Sequence, residues 1–174
     1  MSSEVTLSTP SPADADEFVA AALASKAVVL PWVDPADTPE RFAAYLKRAA
    51  RDDHACYLVR HQTCGELVGF VNINSIVRGA LQSGHLGYAG FASHAGRGLM
   101  SQGVAAVICT AFDDLGLHRL EANIQPGNVK SLALARRLGF KREGYSPQYL
   151  MVDGHWRDHE RWAVRAEDWP AAAS

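Results

Sequence analysis

The sequence predicts one α+β domain of the mixed α/β type, a sheet of about seven strands with helices on both faces. Three observations carry this. The apolar periodicity runs in the order strand, two helices, a strand meander, then βαβαββ. A helix with a long apolar stripe follows a glycine-bearing loop in mid-chain, and such a stripe needs a sheet to cover. Finally, 174 residues with 48% apolar and 21% charged side chains suit a single core, with no repeat or linker to divide residues 1–169. Residues 170–174 read as a loose tail.

Each element has a local reason. Residues 5–7 suit a short first strand. Ser11-Pro12 opens a helix to about Ser25, with proline where its missing N–H costs nothing. Residues 28–35 form an apolar, proline-bounded loop containing Trp32, either a cap on the core or a wall of a substrate pocket. Thr38-Pro39 opens a second helix, in which Phe42, Tyr45, Leu46 and Ala49 make one stripe. Strands at 55–60 and 67–73 are joined through Gly65, and a polar stretch, 74–83, leads to a strand at about 85–91. The helix at 99–115 carries Val104, Val107, Ile108, Ala111, Phe112 and Leu115 on one side and stops at Gly116. A strand at 119–124 turns at Gln125-Pro126-Gly127. Asn128 caps a helix to Leu138 and Gly139 ends it. Residues 140–165 read as two strands around an Asp153-Gly154 turn.

Composition narrows the function. A net charge of -2, from 17 basic and 19 acidic residues, leaves no electrostatic footprint for direct nucleic-acid binding. Cys56, Cys64 and Cys109 are few and not in metal spacing, as expected of free thiols in a reducing cytoplasm. The N-terminal residues lack a signal-peptide pattern, and no apolar run has membrane-spanning length. His155 and His159 would stand ~13 Å apart along a strand, so they do not form a joint metal site. No metal is expected.

The sharpest local feature is the junction Gly96-Arg97-Gly98 between a strand and a helix. A helix N-terminus exposes unpaired N–H groups, and glycines let the backbone approach a diphosphate. It lacks the Lys-Ser/Thr of a Walker loop and the third glycine of a dinucleotide fingerprint. A plain glycine turn accounts for it equally well on local grounds.

Around this junction the chain resembles the GNAT superfamily, whose cofactor loop follows Gln/Arg-x-x-Gly-x-Gly/Ala. Gly98 fits the central glycine, whereas Ala95 and Met100 depart from the pattern. The stretches HRLEANIQPGNVKSLALARRLGFKREG, GYSPQYLMVDGHWRDH and LPWVDPADTPERFAAYL resemble the ribosomal-protein alanine N-acetyltransferase branch. The resemblance covers nearly the whole chain. It implies a GNAT fold with a mostly antiparallel twisted sheet, acetyl-CoA as co-substrate, and acetyl transfer to a primary amine.

It also implies sites. Main-chain groups of Gly90, Phe91 and Ala92 would hold the pantetheine arm, and Ala95, Gly96, Arg97, Gly98, Leu99 and Met100 the diphosphate. Asn128 would bond cofactor, although the helix cap alone accounts for an asparagine there. Many relatives carry a tyrosine acid seven residues after the Asn. That position is Ala135 here, which leaves Ser131, alone or with a water, as the catalytic acid near the thioester sulfur, with a serine satisfying a backbone group in the helix's first turn as the plain alternative. Independently of the resemblance, Glu121 alternates with the apolar Leu120 and Ala122 on a strand and is the candidate base or the orienter of a basic water, with a solvent-facing strand residue as the plain alternative. Trp32 and Tyr149 are candidate walls of the acceptor pocket. Of the basic residues Arg136, Arg137, Lys141 and Arg142, some would lie near the cofactor's 3′-phosphate.

The expected chemistry is direct attack of the amine in a ternary complex. A protein N-terminal α-amine is the acceptor most like the branch. Small-molecule amines, such as antibiotics or aminoacyl-nucleotides, are the alternative, and a non-catalytic CoA-binding protein is a second. A homodimer sharing strand edges is compatible with the sequence.

Overall fold

The computed structural model describes residues 3–170; part of the expected tail, 171–174, lies outside them. Seven strands run β1 (Val5–Ser8), β2 (Ala55–His61), β3 (Leu67–Val77), β4 (Ser83–Gly90), β5 (Arg119–Ile124), β6 (Lys141–Val152) and β7 (His155–Arg165). Helices α1 (Ala15–Val29), α2 (Pro39–Ala49), α3 (Leu99–Asp113) and α4 (Val129–Arg137) complete the fold. The sheet order is β1-β2-β3-β4-β5-β7-β6. β4 and β5 are parallel, and the other neighbours are antiparallel. This is the mixed, mostly antiparallel sheet that the sequence predicts.

Both faces are covered. On one, Val59, Val71, Leu86, Leu120 and Ala122 meet Val104, Val107, Ile108 and Ala111 of α3 and Leu132 and Ala135 of α4. On the other, Phe18 and Phe42 pack at 4.9 Å between ring centroids, and Phe91 meets Phe18 edge-on at 5.4 Å. Such offset and edge contacts add to the gain from burial alone.

Local chemistry sets the element ends, and in three places it departs from the predicted boundaries. Asp14 accepts from the Ser11 N–H at 2.7 Å, so Pro12–Asp14 forms a 3-10 turn and α1 begins only at Ala15. At its other end α1 runs past Ser25 to Val29, because Ser25 is buried and its hydroxyl accepts from the Ala92 N–H at 2.8 Å instead of ending the helix. β3 runs past Ile73 to Val77 despite its asparagines. Asn72 is buried and accepts from the Tyr45 hydroxyl at 2.8 Å, and Asn74 reaches the His85 carbonyl at 3.4 Å. Their polarity is satisfied by the fold, so it does not mark a loop. The Asp153-Gly154 turn is as read, with φ of 49° and 70°, the left-handed pair that a tight hairpin needs.

Candidate active site

β4 and β5 pair only from Ser83↔Arg119 to Leu86↔Ala122. Beyond that point β4 continues on β3 to Gly90, while β5 turns at Gln125. The sheet therefore opens in its middle. The Phe91 N–H donates to Val68 O at 2.8 Å. Backbone groups alternate sides along an antiparallel strand, so those of Gly90 and Tyr88 face the opening. The expectation for Phe91 and Ala92 needs correction here. The Phe91 N–H belongs to β3, and the Ala92 N–H is taken by Ser25 Oγ at 2.8 Å. Of the three residues, Gly90 is the one that turns its main chain to the gap.

A cavity of about 510 Å³ runs along this opening, a size suited to a cofactor-like ligand. One end is the loop before α3. Gly96 and Gly98 both have left-handed backbones, φ 79° and 76°, which glycine adopts without strain. Among the described residues, the N–H groups of Gly96, Arg97, Gly98, Leu99 and Met100 have no acceptor; the helix's first bonds are made by Ser101 and Gln102 to Gly98 O. These amides converge at a helix N-terminus, the arrangement that binds phosphate oxygens. Ala95, Gly96, Gly98, Leu99 and Met100 line the cavity. The Arg97 side chain turns instead to His94 Nδ1 at 3.2 Å, and His94 Nε2 meets Glu66 at 3.2 Å. His94 is buried, at 7% exposure.

Met100 departs from the family's small residue, and the fold shows how it is housed. A Cβ on Gly90 would stand 2.7 Å from Met100 Cγ, and one on Gly69 2.6 Å from Met100 Sδ. The thioether occupies the volume that two glycines leave free.

The other end of the cavity is the start of α4. Asn128 Oδ1 accepts from the Ser131 N–H at 3.2 Å, which caps the helix. Both residues line the cavity. Ser131 Oγ lies 2.8 Å from the Tyr88 hydroxyl. Burial pushes the Tyr88 phenol above its ordinary pKa, the hydrogen bond to Ser131 opposing the shift. Ala135 is buried in the core and does not line the cavity. Tyr88 was missed at the sequence level. Its signal was the alternation of Leu86, Tyr88 and Gly90 on one side of a strand that enters the phosphate loop.

Trp32 lines the same cavity and lies over the β5–α4 turn, where a Cβ on Gly127 would meet its ring at 3.2 Å. Gln125 anchors this loop by donating to Pro31 O at 2.8 Å. Two other candidates fall elsewhere. Glu121 accepts from Arg119 Nε at 2.9 Å and lines neither this cavity nor the one below; Arg119 also pairs with Glu143. Tyr149 is exposed on β6 with its ring 6.2 Å from that of His159, also away from both cavities. The basic cluster divides. Arg137 lines the cavity, as does Lys130, whereas Arg136 lies over Trp162, Arg142 pairs with Glu160 and Lys141 with Asp168.

A second cavity of about 330 Å³ lies on the α1–α2 side. It touches β4 at Gly87 and shares Val33 with the first. Its polar lining includes Asn72, Asn74, Arg48, and Asp34 paired with Arg41 at 2.8 Å. Among the described residues there is no group of His, Cys, Asp or Glu suited to hold a metal ion, and no helix long and apolar enough to cross a membrane.

An open parallel strand pair, an amide cradle at a helix N-terminus and a hydroxyl at the cavity's far end define an acyl-CoA-binding transferase. The family model for the acetyltransferase (GNAT) domain matches residues 4–141, and the chain belongs to this family of acyl-CoA-dependent N-acetyltransferases. It is 39% identical over 104 residues to the ribosomal protein uS5-alanine N-acetyltransferase of Escherichia coli, 60% of this chain and 54% of that one. The match thus spans about half of that relative. The structure of Mycobacterium smegmatis RimJ in complex with CoA-disulfide is similar at a TM-score of 0.87 and 30% identity, covering 95% of this chain and 84% of that one. The spermidine N-acetyltransferase of Vibrio cholerae, in complex with CoA and spermine, shares the fold at a TM-score of 0.82 and 18% identity, over 96% and 98% of the chains.

Proposed function

We propose that this chain transfers an acetyl group from acetyl-CoA to a protein N-terminal α-amine, by direct attack in a ternary complex. One observation carries the reading: Gly96, Gly98, Leu99 and Met100, whose amides are free, and Ser131 line the same cavity. A diphosphate at those amides would lay the pantetheine arm past Gly90 and bring its sulfur toward Ser131. The adjoining cavity, which shares Val33 with the first, takes the acceptor.

The acceptor class follows from the charges there. A polyamine calls for several carboxylates, yet the lining carboxylate is Asp34, already neutralised by Arg41 at 2.8 Å. Nor does Glu121 line either cavity; it is bonded to Arg119. An α-amine has a pKa of ~7.7–8.0 and a lysine side chain ~10.4, so deprotonating lysine at neutral pH costs about 3.5 kcal/mol more. Glu121 is left, at most, the task of orienting water. Similarity to the uS5-alanine enzyme supports the same acceptor.

The test measures thiol release from acetyl-CoA with peptides beginning in alanine or serine, with free amino acids and with spermidine. Acetylation of the peptides, lost when their N-termini are blocked, is the expected result. Turnover of spermidine or free amines alone refutes the protein acceptor. Ser131→Ala is expected to lower kcat ~10²-fold, the scale for losing one hydrogen-bond donor to a developing anion, and unchanged turnover removes Ser131 from the reaction.

A further inference from the structure

The position where many relatives of this branch carry a tyrosine acid holds Ala135, packed in the core at 2% exposure. A phenol nevertheless reaches the same end of the cavity from another direction. Tyr88 comes from the sheet, just beyond the last paired position of β4 and β5, and its hydroxyl stands 2.8 Å from Ser131 Oγ. Ser131 is therefore held twice. Its N–H is bound by Asn128 Oδ1 at 3.2 Å, and its hydroxyl by Tyr88.

The polarity of the second bond decides what the serine can do. A phenol is a better donor and a poorer acceptor than an aliphatic alcohol, because its oxygen lone pair is drawn into the ring. Burial also keeps the Tyr88 phenol protonated. Tyr88 then donates to Ser131 Oγ, and the serine's own hydrogen is left for the cavity. Were the phenol absent, that hydrogen would be free to turn to a nearby carbonyl, as hydroxyls in the first turn of a helix commonly do.

We propose that Tyr88 is a positioning residue: by donating to Ser131 Oγ it aims the serine hydroxyl at the sulfur of the bound CoA thioester, which stabilises the thiolate as it leaves. In the step itself the amine lone pair forms the C–N bond and the C–S electron pair departs with sulfur. The nitrogen sheds its proton to solvent, and the thiolate, held by the Ser131 O–H, takes one from solvent. Neither hydroxyl changes protonation state overall. The inference rests on the reading that the CoA thiol end lies at Ser131, and it is independent of which amine is acetylated.

Two measurements on the full chain test it, using Tyr88→Phe, Ser131→Ala and the double variant. The first is the pKa of the thiol of bound CoA, followed by thiolate absorbance, which needs no acceptor. Wild type is expected to hold it below that of free CoA, and each variant to move it back, the double variant no further than Ser131→Ala. The second is kinetics with whichever amine the acceptor screen identifies. Tyr88→Phe is expected to lower kcat about tenfold, the scale of one neutral hydrogen bond, with KM for acetyl-CoA nearly unchanged. In the Ser131→Ala background the same change should do nothing. An unaltered thiol pKa in Tyr88→Phe, or an equal kcat loss with and without Ser131, overturns the proposal. A screen without any acetylated amine, alongside a coupled thiol shift, refutes the proposed function and leaves this inference standing. Absence of CoA binding refutes both.

Discussion

Gly98 offers the most direct perturbation of the cofactor site. Its φ is 76°, and a Cβ placed on it meets no atom within 4 Å. Gly98→Val therefore brings left-handed strain without a clash inside the protein. That strain costs roughly 1–2 kcal/mol, which for a domain of this size lowers Tm by about 2–8 °C. The protein should still fold. Binding is a separate matter, because the open space beside Gly98 is where a diphosphate must come up to the amides. Hydrogen bonds to a charged group contribute about 1.5–3 kcal/mol each. Losing two of them weakens CoA binding by roughly 10²- to 10⁴-fold, at 1.4 kcal/mol per tenfold. Gly65 supplies a matched control in the β2–β3 turn, with φ 73° and again nothing within 4 Å. Gly65→Val should show a similar fall in Tm and wild-type affinity. Calorimetric titration with CoA, paired with thermal melts of both variants, separates strain from blocked approach. Wild-type affinity in a folded Gly98→Val protein would mean that the diphosphate is bound elsewhere, and the account of the loop would fail.

Two further predictions concern packing and pH. Gly90→Ala drives a methyl to 2.7 Å from Met100 Cγ, so it should destabilise by about 1–3 kcal/mol, and Gly90→Ala/Met100→Ala should recover most of that in urea unfolding; a single variant as stable as wild type would refute the fit between the two. His159 is buried, and burial, only partly offset by its bond to Arg157 O at 2.9 Å, holds its pKa below 6.5. The unfolded chain therefore binds more protons, so this contribution is intact above about pH 6.5 and is lost as pH falls toward the lower folded pKa. Wild type should lose more Tm than His159→Gln between about pH 7 and pH 5, and parallel losses in the two proteins would remove His159 as a source.

The elements most legible in the sequence were those with a chemical signature inside a few residues. Thr38-Pro39 opens α2 with a cap bond from Arg41 N–H to Thr38 Oγ1 at 3.2 Å. Asn128 caps α4, and Gly98 stands at the start of α3 as the loop reading requires. At two of the three shifted boundaries a polar side chain had found a partner far along the chain; at the start of α1 the partner was local, Asp14 bonding Ser11. Ser25 bonds Ala92 across 67 positions, and Asn72 bonds Tyr45 across 27. Local reading takes such residues as stops because it cannot know that their polarity is met.

The candidate site divides along the same line. The proposed diphosphate loop is a contiguous segment, so its two glycines before a helix marked it as one of two local readings, and the family resemblance chose between them. Glu121 was assigned by type and alternation alone, and only the folded arrangement gave its carboxylate to Arg119. Tyr88 and Ser131 are separated by 43 positions, and no spacing rule joins a strand to a helix that follows a later strand. Sequence alone determined the order of elements, because propensity, capping and glycine geometry act over a few residues, and its quoted motifs carried the resemblance to the family. Tertiary structure alone decided where β4 leaves β5, how Met100 is housed and which hydroxyl holds Ser131, because those depend on distances that close only when the sheet and its helices pack.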